Sequence, residues 1–375
     1  YASRGRRGVM VTASHNPPAD NGLKCFVDGR EYDRETEKRI EARVEADEEQ
    51  AAWDEWGTDE RVDVLDEYRD AVADFARGHG ERPDSLSVAV DCGNGMASLA
   101  TPHVLTSLGV DVQGLNATVD GHFSARESKP TAESLSDLRA FVADGDADLG
   151  IGHDGDADRI VITDGNGDVV HEDTVLAILA EHYTRASDAE DPVVVTTPNA
   201  SGRIDERVTA AGGRVERVRL GALHEGIADA RAAGDDDTAV VFAAEPWKHV
   251  HTALGGWIDG VASAAVFARL VADSGLDGLR DPVTERPYRK ESVSCPDEAK
   301  KAVMDRLGER LPDTYPEAAV ATEYGVRLTF PDESWTLVRP SGTESYVRVY
   351  AESDEVDALV EDVRGVVADA VDSVS

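Results

Sequence analysis

The feature that most constrains the fold is a regular alternation of short apolar segments with longer amphipathic ones. LSVAVDCGNGMA, PVVVTT and TAVVFAAEP are typical of buried strands, whereas VLDEYRDAVADFARG and IDGVASAAVFARLVADSG are typical of helices. Such alternation favours open α/β sheets that are covered by helices on both faces. The sequence therefore predicts tandem, related α/β domains, although no sequence repeat is strong enough to prove that they are related.

The order of elements changes after the proline-containing stretch DGLRDPVTERPY, at residues 277–288. A predicted helix, three strands (GVRLTF, SWTLVRPS and SYVRVYAE) and a final helix follow it. This order is typical of an α+β domain. We therefore expect a C-terminal module that differs in class from the preceding ones.

The pentapeptide DGDAD occurs twice, at residues 144–148 and 154–158. A predicted five-residue strand, LGIGH, separates the copies by roughly 16 Å, so they cannot share one cation. The first copy is interpreted as a solvated turn at the start of that strand. The second lies at the carboxyl end, which is the edge where open α/β sheets bind ligands.

Three alternating carboxylates in the second copy, Asp154, Asp156 and Asp158, point the same way in an extended loop. Hard oxygen ligands favour Mg²⁺ or Ca²⁺, and an exposed turn is the alternative interpretation. An EF-hand is excluded because its sixth and twelfth positions hold Arg159 and Gly165 in place of Gly and Glu.

The chain carries 75 acidic against 38 basic residues, a net charge of −37. This sign disfavours nucleic acid as a partner. Self-repulsion at this charge is relieved in about 1 M salt, where the Debye length is about 3 Å, so we predict a halophilic archaeal source.

Neither a membrane-spanning apolar run nor a signal peptide is found in the sequence, so we expect no membrane association. Cys25, Cys92 and Cys295 are isolated and form no zinc pattern, as expected of thiols in a reducing cytoplasm. Either a monomer or a homodimer is expected.

Three further motifs each allow a functional and a structural interpretation. TASHNPPADNGLK follows a strand, and its Ser14 is either part of a Ser/Asx turn or a nucleophile with Lys24 nearby. RPSGTES, which starts at Arg339, is either an ordinary turn or a phosphate cradle of guanidinium, hydroxyl and backbone N–H groups. In AEPWKH, the carboxylate of Glu245 and the imidazole of His249 suit sugar hydroxyls and Trp247 could pack on a ring face, but alone the motif favours a strand-end loop.

The motifs TASHNP with NGLK, DGDADR, AEPWKH and RPSGTES occur in the order and approximate spacing of the α-D-phosphohexomutase family. The chain resembles that family, which includes phosphoglucomutase/phosphomannomutase and phosphoglucosamine mutase, over essentially its whole length. The resemblance implies three related α/β domains and a smaller α+β domain around a deep central cleft. We place them at residues 1–64 (serine loop), 65–170 (metal loop), 171–285 (sugar loop) and 286–375 (phosphate loop).

The resemblance also implies a role for each motif. Ser14 would carry a phosphoryl group, and the further catalytic residues would be His15, Lys24 and Arg159. One Mg²⁺ would be held by Ser14, Asp154, Asp156 and Asp158. The phosphosugar would be held by Glu245, His249, Arg339, Ser341, Gly342 and Thr343, and from its own chemistry Trp247 is expected to pack on the sugar ring. The implied reaction interconverts hexose 1-phosphate and hexose 6-phosphate (glucose, mannose or glucosamine) through a bisphosphate intermediate.

Two departures from the family pattern bear on this expectation. The sugar loop usually reads G-E-x-S-G-H, and here Trp247 and Lys248 replace the hydroxyl and the glycine. The family's opening strand and phosphate-contacting segment are not found before TASHNP, so we expect the N-terminal part of the protein to be missing. An inactive or truncated phosphosugar-binding protein is therefore the first alternative, and an unrelated Mg²⁺ phosphatase with an aspartate nucleophile is the second.

Overall fold

The computed structural model describes residues 6–14, 16–47, 49, 51–342 and 344–374. The strands among them are β1 (Arg7–Val11), β2 (Leu23–Val27), β3 (Arg30–Glu31), β4 (Ser87–Asp91), β5 (Asp111–Leu115), β6 (Leu149–Gly152), β7 (Val161–Thr163), β8 (Asp191–Thr196), β9 (Arg214–Arg217), β10 (Thr238–Glu245), β11 (Lys248–Val250), β12 (Tyr288–Ser294), β13 (Ala319–Ala321), β14 (Val326–Thr329), β15 (Trp335–Pro340) and β16 (Tyr346–Glu352).

The α-helices in the described part of the chain are α1 (Arg34–Glu45), α2 (Leu65–Arg77), α3 (Thr101–Leu108), α4 (Ser136–Asp144), α5 (Glu172–Arg185), α6 (Gly202–Ala210), α7 (Leu223–Ala233), α8 (Gly260–Ser274), α9 (Leu276–Arg280), α10 (Lys300–Thr314) and α11 (Val356–Asp372). Two compact units contain these elements. The first unit comprises residues 1–175 and 246–280, and the second comprises 176–245 and 281–375. The four predicted domain boundaries remain a prediction.

In the first unit, two sheets present loops at their strand ends. β1 and β2 pair antiparallel, so the chain turns back after Val11 and places Lys24 opposite Met10. The second sheet has the order β5-β4-β6-β7, with β4 parallel to β5 and β6, and β7 antiparallel to β6. β4 and β6 are buried almost throughout, which explains their continuous apolar sequence.

Helix α8 is the most deeply buried helix of the first unit described here. Every residue from Gly260 to Val271 is buried, and Asp259 caps its start by accepting a hydrogen bond from the backbone N–H of Ala262. It contacts α2 and α3. A helix that is apolar on all sides belongs in a core, and this one supports the strand β11 that precedes it.

The second unit combines a parallel and an antiparallel sheet. β8 pairs parallel with β10 on one side and with β9 on the other. The C-terminal sheet has the order β12-β16-β15-β14-β13 and is antiparallel throughout. Helices α10 and α11 pack on it around an apolar cluster that includes Val303, Leu307 and Val349. The predicted tandem α/β modules with a C-terminal α+β module are therefore confirmed.

Among the described residues, none of the helices combines the length and the apolar composition that crossing a bilayer requires.

Candidate active site

Ser14 lies just beyond the end of β1, in a backbone conformation that is rare for a residue with a side chain. Its φ is +54°, in the left-handed region. Its backbone N–H donates to Thr12 Oγ1 at 2.9 Å, and the N–H of Thr12 donates to the carbonyl of Gly22 at 3.0 Å. Strain of this kind costs on the order of 1–3 kcal/mol and concentrates at functional sites. The turn presents the serine hydroxyl at the strand end.

The second DGDAD copy forms a compact cluster of three carboxylates directly after β6. Asp154, Asp156 and Asp158 each offer an oxygen, and these atoms lie within 4.8 Å of one another. Ser14 Oγ donates to Asp154 Oδ2 at 3.2 Å, and Thr12 Oγ1 donates to Asp156 Oδ2 at 2.8 Å. The structure therefore brings together the serine and the three aspartates that the sequence singled out. In the first DGDAD copy, Asp144 ends α4 and Ala147 is buried, while the other residues are exposed, so the expected solvated turn is only partly observed.

The donor set of this cluster fits a hard divalent cation. Two oxygens that each lie about 2.0–2.6 Å from one cation are at most roughly 5 Å apart, which matches the observed spacing. Within the described residues, Asp156 Oδ1 and Asp158 Oδ1 are buried and make no hydrogen bond. Buried carboxylate oxygens without a donor are costly unless a cation balances them. The cluster could thus hold Mg²⁺.

The three carboxylates differ in their electrostatic surroundings. Burial, followed by the charges of Asp158 and Asp156, raises the pKa of Asp154 to about 7. Burial alone would raise the pKa of Asp158 as well, but Lys248, Lys24 and Arg159 lower it below its ordinary value. Burial, together with the like charges nearby, thus favours the neutral form of Asp154 in the absence of a cation.

Lys24 and Arg159, both predicted to be catalytic, lie beside this cluster. Arg159 Nε is 3.5 Å from Asp154 Oδ2 and 3.9 Å from Asp158 Oδ1, and its backbone N–H donates to Asp154 Oδ1 at 3.2 Å. The positive charge of Lys24 acts on Asp158 from β2. His15, the remaining predicted catalytic residue, lies outside the described residues.

The segment from Trp247 to His249 is attached to the acidic loop through its backbone. Residues Arg159 and Lys248 form an antiparallel bridge, and the N–H of Ile160 donates to the carbonyl of Trp247 at 3.1 Å. Trp247 has a φ of +73°, and the Arg159 guanidinium carbon lies 6.0 Å from its ring centroid. Lys248 Nζ donates to Asp158 Oδ2 at 2.7 Å.

The structure does not place His249 where a substrate can reach it. Its side chain is 1% exposed, and Nδ1 lies 3.0 Å from Ser263 Oγ on α8. Burial lowers its pKa to about 3. In this conformation His249 anchors β11 to α8, so the direct sugar contact expected from the motif is replaced by a core contact.

The remaining predicted substrate residues belong to the second unit. Glu245, at the end of β10, accepts a hydrogen bond from the N–H of Gly221 at 2.6 Å. Arg339 Nη2 donates to the Tyr350 hydroxyl at 2.8 Å, and Ser341 Oγ accepts from the N–H of Glu344 at 3.2 Å. Gly342 is exposed in the same loop, and Thr343 lies outside the described residues.

This loop has the properties of an anion cradle. Arg339 and Arg348 face each other across β15 and β16. Over the part of the chain that the structure describes, the Nε atoms of both side chains are buried without a hydrogen-bond acceptor. Buried guanidinium donors without an acceptor suit a bidentate oxyanion. Lys300 Nζ stabilises the loop, because it donates to the backbone carbonyls of Ser341 at 2.7 Å and Glu344 at 2.6 Å.

Three residues that matter to this geometry were not predicted as site residues. Ser128 Oγ donates to the carbonyl of Ser14 at 3.3 Å and accepts from the N–H of Gly155 at 3.0 Å, so it ties the serine loop to the acidic loop. Lys248 and Lys300 are the other two. No local motif marks Ser128 or Lys300, whereas Lys248 was visible as a departure from the family's sugar loop.

Comparisons with known proteins agree with this architecture. Family models of phosphoglucomutase/phosphomannomutase match residues 2–51 (alpha/beta/alpha domain I), 66–167 (alpha/beta/alpha domain II) and 293–370 (C-terminal domain). A crystal structure of a phosphoglucomutase/phosphomannomutase family protein from Burkholderia thailandensis superposes with a TM-score of 0.82 at 24% identity, covering 97% of this chain and 76% of that one. The fold is thus that of the phosphoglucomutase/phosphomannomutase class.

Two curated relatives define the family more closely. A phosphopentomutase from Thermococcus kodakarensis is 40% identical over 351 residues, which is 92% of this chain and 75% of the relative. A probable phosphoglucosamine mutase from Methanopyrus kandleri is 39% identical over 359 residues, which is again 92% of this chain and 75% of the relative. The chain belongs to the α-D-phosphohexomutase family, which confirms the family predicted from the motifs.

Proposed function

We propose that this protein is a Mg²⁺-dependent phosphomutase that moves a phosphoryl group between two hydroxyls of a sugar through a phosphoserine at Ser14. The observation that carries the proposal is the contact between Ser14 Oγ and Asp154 Oδ2, at 3.2 Å, inside a cluster of three carboxylates. Covalent carriage of a phosphoryl group divides one difficult transfer into two easier ones. The names of the curated relatives, all sugar-phosphate mutases, support this proposal.

The residues of the first unit have complementary roles in this transfer. In the first half-reaction the bond from Ser14 Oγ to phosphorus breaks as a bond from the sugar hydroxyl to phosphorus forms. Lys24 carries the proton between the two oxygens, and Arg159 neutralises the equatorial phosphoryl oxygens. Asp154, Asp156 and Asp158 would hold Mg²⁺, which supplies Lewis-acid stabilisation of the transferring group. The second half-reaction returns a phosphoryl group to Ser14.

The loop around Arg339 binds the phosphate that is not being transferred. Its two guanidinium Nε atoms, which have no acceptor among the described residues, and the Ser341–Gly342 segment recognise charge and shape, without selecting a particular sugar ring. Such a cradle accepts the substrate in both orientations that a bisphosphate intermediate requires. Glu245 and Trp247 are the residues proposed to recognise the sugar hydroxyls and the ring face.

A hexose 1- or 6-phosphate of glucose, mannose or glucosamine is the first candidate substrate. A pentose phosphate is the second, because the Thermococcus kodakarensis relative named phosphopentomutase is 40% identical to this chain. Trp247 and Lys248 depart from the family's usual sugar loop, so substrate preference has to be determined by direct competition among these sugars.

A coupled assay in high salt tests the proposal. The substrates are the 1-phosphates of glucose, mannose, glucosamine and ribose, and the Ser14→Ala variant is compared with Ser85→Ala, whose serine is exposed in a remote turn. We expect Ser14→Ala to lose at least about 10³-fold in kcat, as when a covalent nucleophile is removed, and Ser85→Ala to retain full activity. Intact-mass analysis should find one phosphoryl group on the wild type and none on Ser14→Ala.

Two results would contradict the proposal. An active Ser14→Ala variant that releases inorganic phosphate would favour the aspartate phosphatase. A wild-type protein that binds sugar phosphates, carries no phosphoserine and turns none of them over would favour a phosphosugar-binding member of the family.

A further inference from the structure

Lys248, at the start of β11, places a positive charge beside the acidic loop. Its Nζ donates to Asp158 Oδ2 at 2.7 Å, and the side chains of the two residues are only 17% and 12% exposed. Exposed ion pairs contribute little, but a pair this shielded from water interacts more strongly. The contact spans 90 residues of sequence, so tertiary structure alone creates it.

The two oxygens of Asp158 have different surroundings. Oδ2 accepts from Lys248, whereas Oδ1 is buried 3.9 Å from Arg159 Nε and, among the described residues, accepts no hydrogen bond. Asp158 is thereby oriented with one oxygen left for a cation. The backbone bridge between Arg159 and Lys248 fixes the base of the lysine side chain relative to the loop.

The charges around the loop also balance. With all three carboxylates ionised, which a bound cation favours, they carry −3, and the side chains of Lys24, Arg159 and Lys248 together carry +3. Adding a divalent cation and a doubly charged phosphoryl group leaves the sum at zero. Without Lys248 the empty cluster would be more negative, which strengthens its attraction for a cation and weakens its attraction for a phosphate.

We propose that Lys248 is a positioning residue that orients Asp158 toward the metal while weakening metal binding in favour of phosphate binding. This inference rests on the proposed function. Lys248 would therefore weaken the binding of the metal and strengthen the binding of the phosphate. A lysine that merely stabilised the loop would instead strengthen the binding of both ligands.

Electron paramagnetic resonance measures the binding of Mn²⁺ to the unphosphorylated protein in about 0.15 M salt. This measurement distinguishes a lysine with opposite effects on the two ligands from one that merely stabilises the loop. Lys248→Met removes charge and hydrogen bond, Lys248→Gln retains a donor without charge, and Lys248→Arg retains both. We expect the two neutral variants to bind Mn²⁺ about tenfold more tightly than the wild type, and Lys248→Arg to stay within about threefold. Lys301→Met, which removes an 87% exposed lysine, serves as the matched control.

The second measurement is the KM for the sugar phosphate at saturating Mg²⁺. The neutral variants should raise it several-fold, and Lys248→Arg should restore it. Mn²⁺ affinity that is unchanged or reduced in folded Lys248→Gln would overturn the inference. A wild-type protein that binds no Mn²⁺ would instead contradict the metal site of the proposed function, so the two failures are distinguishable.

Discussion

At the scale of single residues, the site is defined by side chains that join two loops distant in sequence. Ser128 is the clearest example, since its hydroxyl contacts the carbonyl of Ser14 and the N–H of Gly155 while remaining 5% exposed. Gly155 permits this approach, because a Cβ there would lie 2.8 Å from Ser128 Oγ and 3.1 Å from the Ser14 carbonyl oxygen. The strained turn at Ser14 is held by contacts of this kind.

We predict that Ser128→Ala lowers kcat about tenfold, because Ser14 loses a contact that fixes its position, at a stability cost of only about 1 kcal/mol. Steady-state kinetics and urea unfolding measure the two effects. Ser124→Ala is the control, since Ser124 lies in the same loop and its hydroxyl donates to the surface residue Asp120 at 2.7 Å. Equal losses of activity in both variants would show that the loop as a whole, not the Ser128 hydroxyl, positions Ser14.

At the scale of elements, buried histidines join strand β11 to helix α8. His249 Nδ1 and His251 Nε2 lie 3.0 Å and 2.9 Å from the same hydroxyl, that of Ser263. Burial lowers the pKa of His249 to about 3, so this residue is neutral in the folded protein at every pH above that. In the unfolded chain it takes up a proton below its ordinary pKa of about 6.5.

Because His249 takes up a proton on unfolding, the folded state becomes less stable as the pH decreases from about 6.5 toward 3. His249→Asn keeps a polar group near Ser263 but has no titrating ring. We predict that the stability difference between wild type and this variant shrinks by about 1.4 kcal/mol between pH 7.5 and pH 5.5. Urea unfolding at both pH values measures it, with the exposed His122→Asn as control. A constant difference would mean that the pKa of His249 is the same in the folded and unfolded states.

Elements with a distinct apolar pattern could be predicted from sequence, including the largely exposed strand β1. β4, β6 and β8 were recognisable because their residues are buried and apolar. β12 and β13 were missed because they are the two edge strands of the C-terminal sheet and are largely exposed, so their sequences show no clear apolar pattern.

The same distinction holds within the site. Ser14 and the three aspartates lie in compact local motifs, which made them visible in the sequence. Ser128 acts through a contact across 114 residues, which no local pattern reveals. Lys248 stood out only as a departure from the family's sugar loop, and the sequence did not indicate its contact with Asp158 across 90 residues. The sequence motif led us to expect a direct sugar contact from His249 and gave no indication of its burial, because burial depends on how α8 packs against β11.

At the scale of the whole molecule, the net charge of −37 is the dominant property. Repulsion among so many carboxylates opposes compaction, and salt screens it: the Debye length falls from about 10 Å at 0.1 M to about 3 Å at 1 M. We predict that raising KCl from about 0.1 M to about 2 M increases the Tm by at least about 5 °C, corresponding to a few kcal/mol for a chain of this size.

Differential scanning calorimetry measures this shift, with sucrose at matched osmotic strength as a control that does not screen charge. A similar increase in sucrose, or no increase in KCl, would contradict the prediction of a protein adapted to a salt-rich cytoplasm.

The backbone bridge between Arg159 and Lys248 has a consequence for the evolution and engineering of this chain. Two stretches that would otherwise diversify separately, the proposed metal-binding and sugar-binding segments, are physically coupled, so mutations in them should accumulate in compensating pairs. A chimera that imports another enzyme's sugar-recognition segment would also alter the metal-binding segment. Redesign of substrate preference would therefore have to vary both segments in the same library.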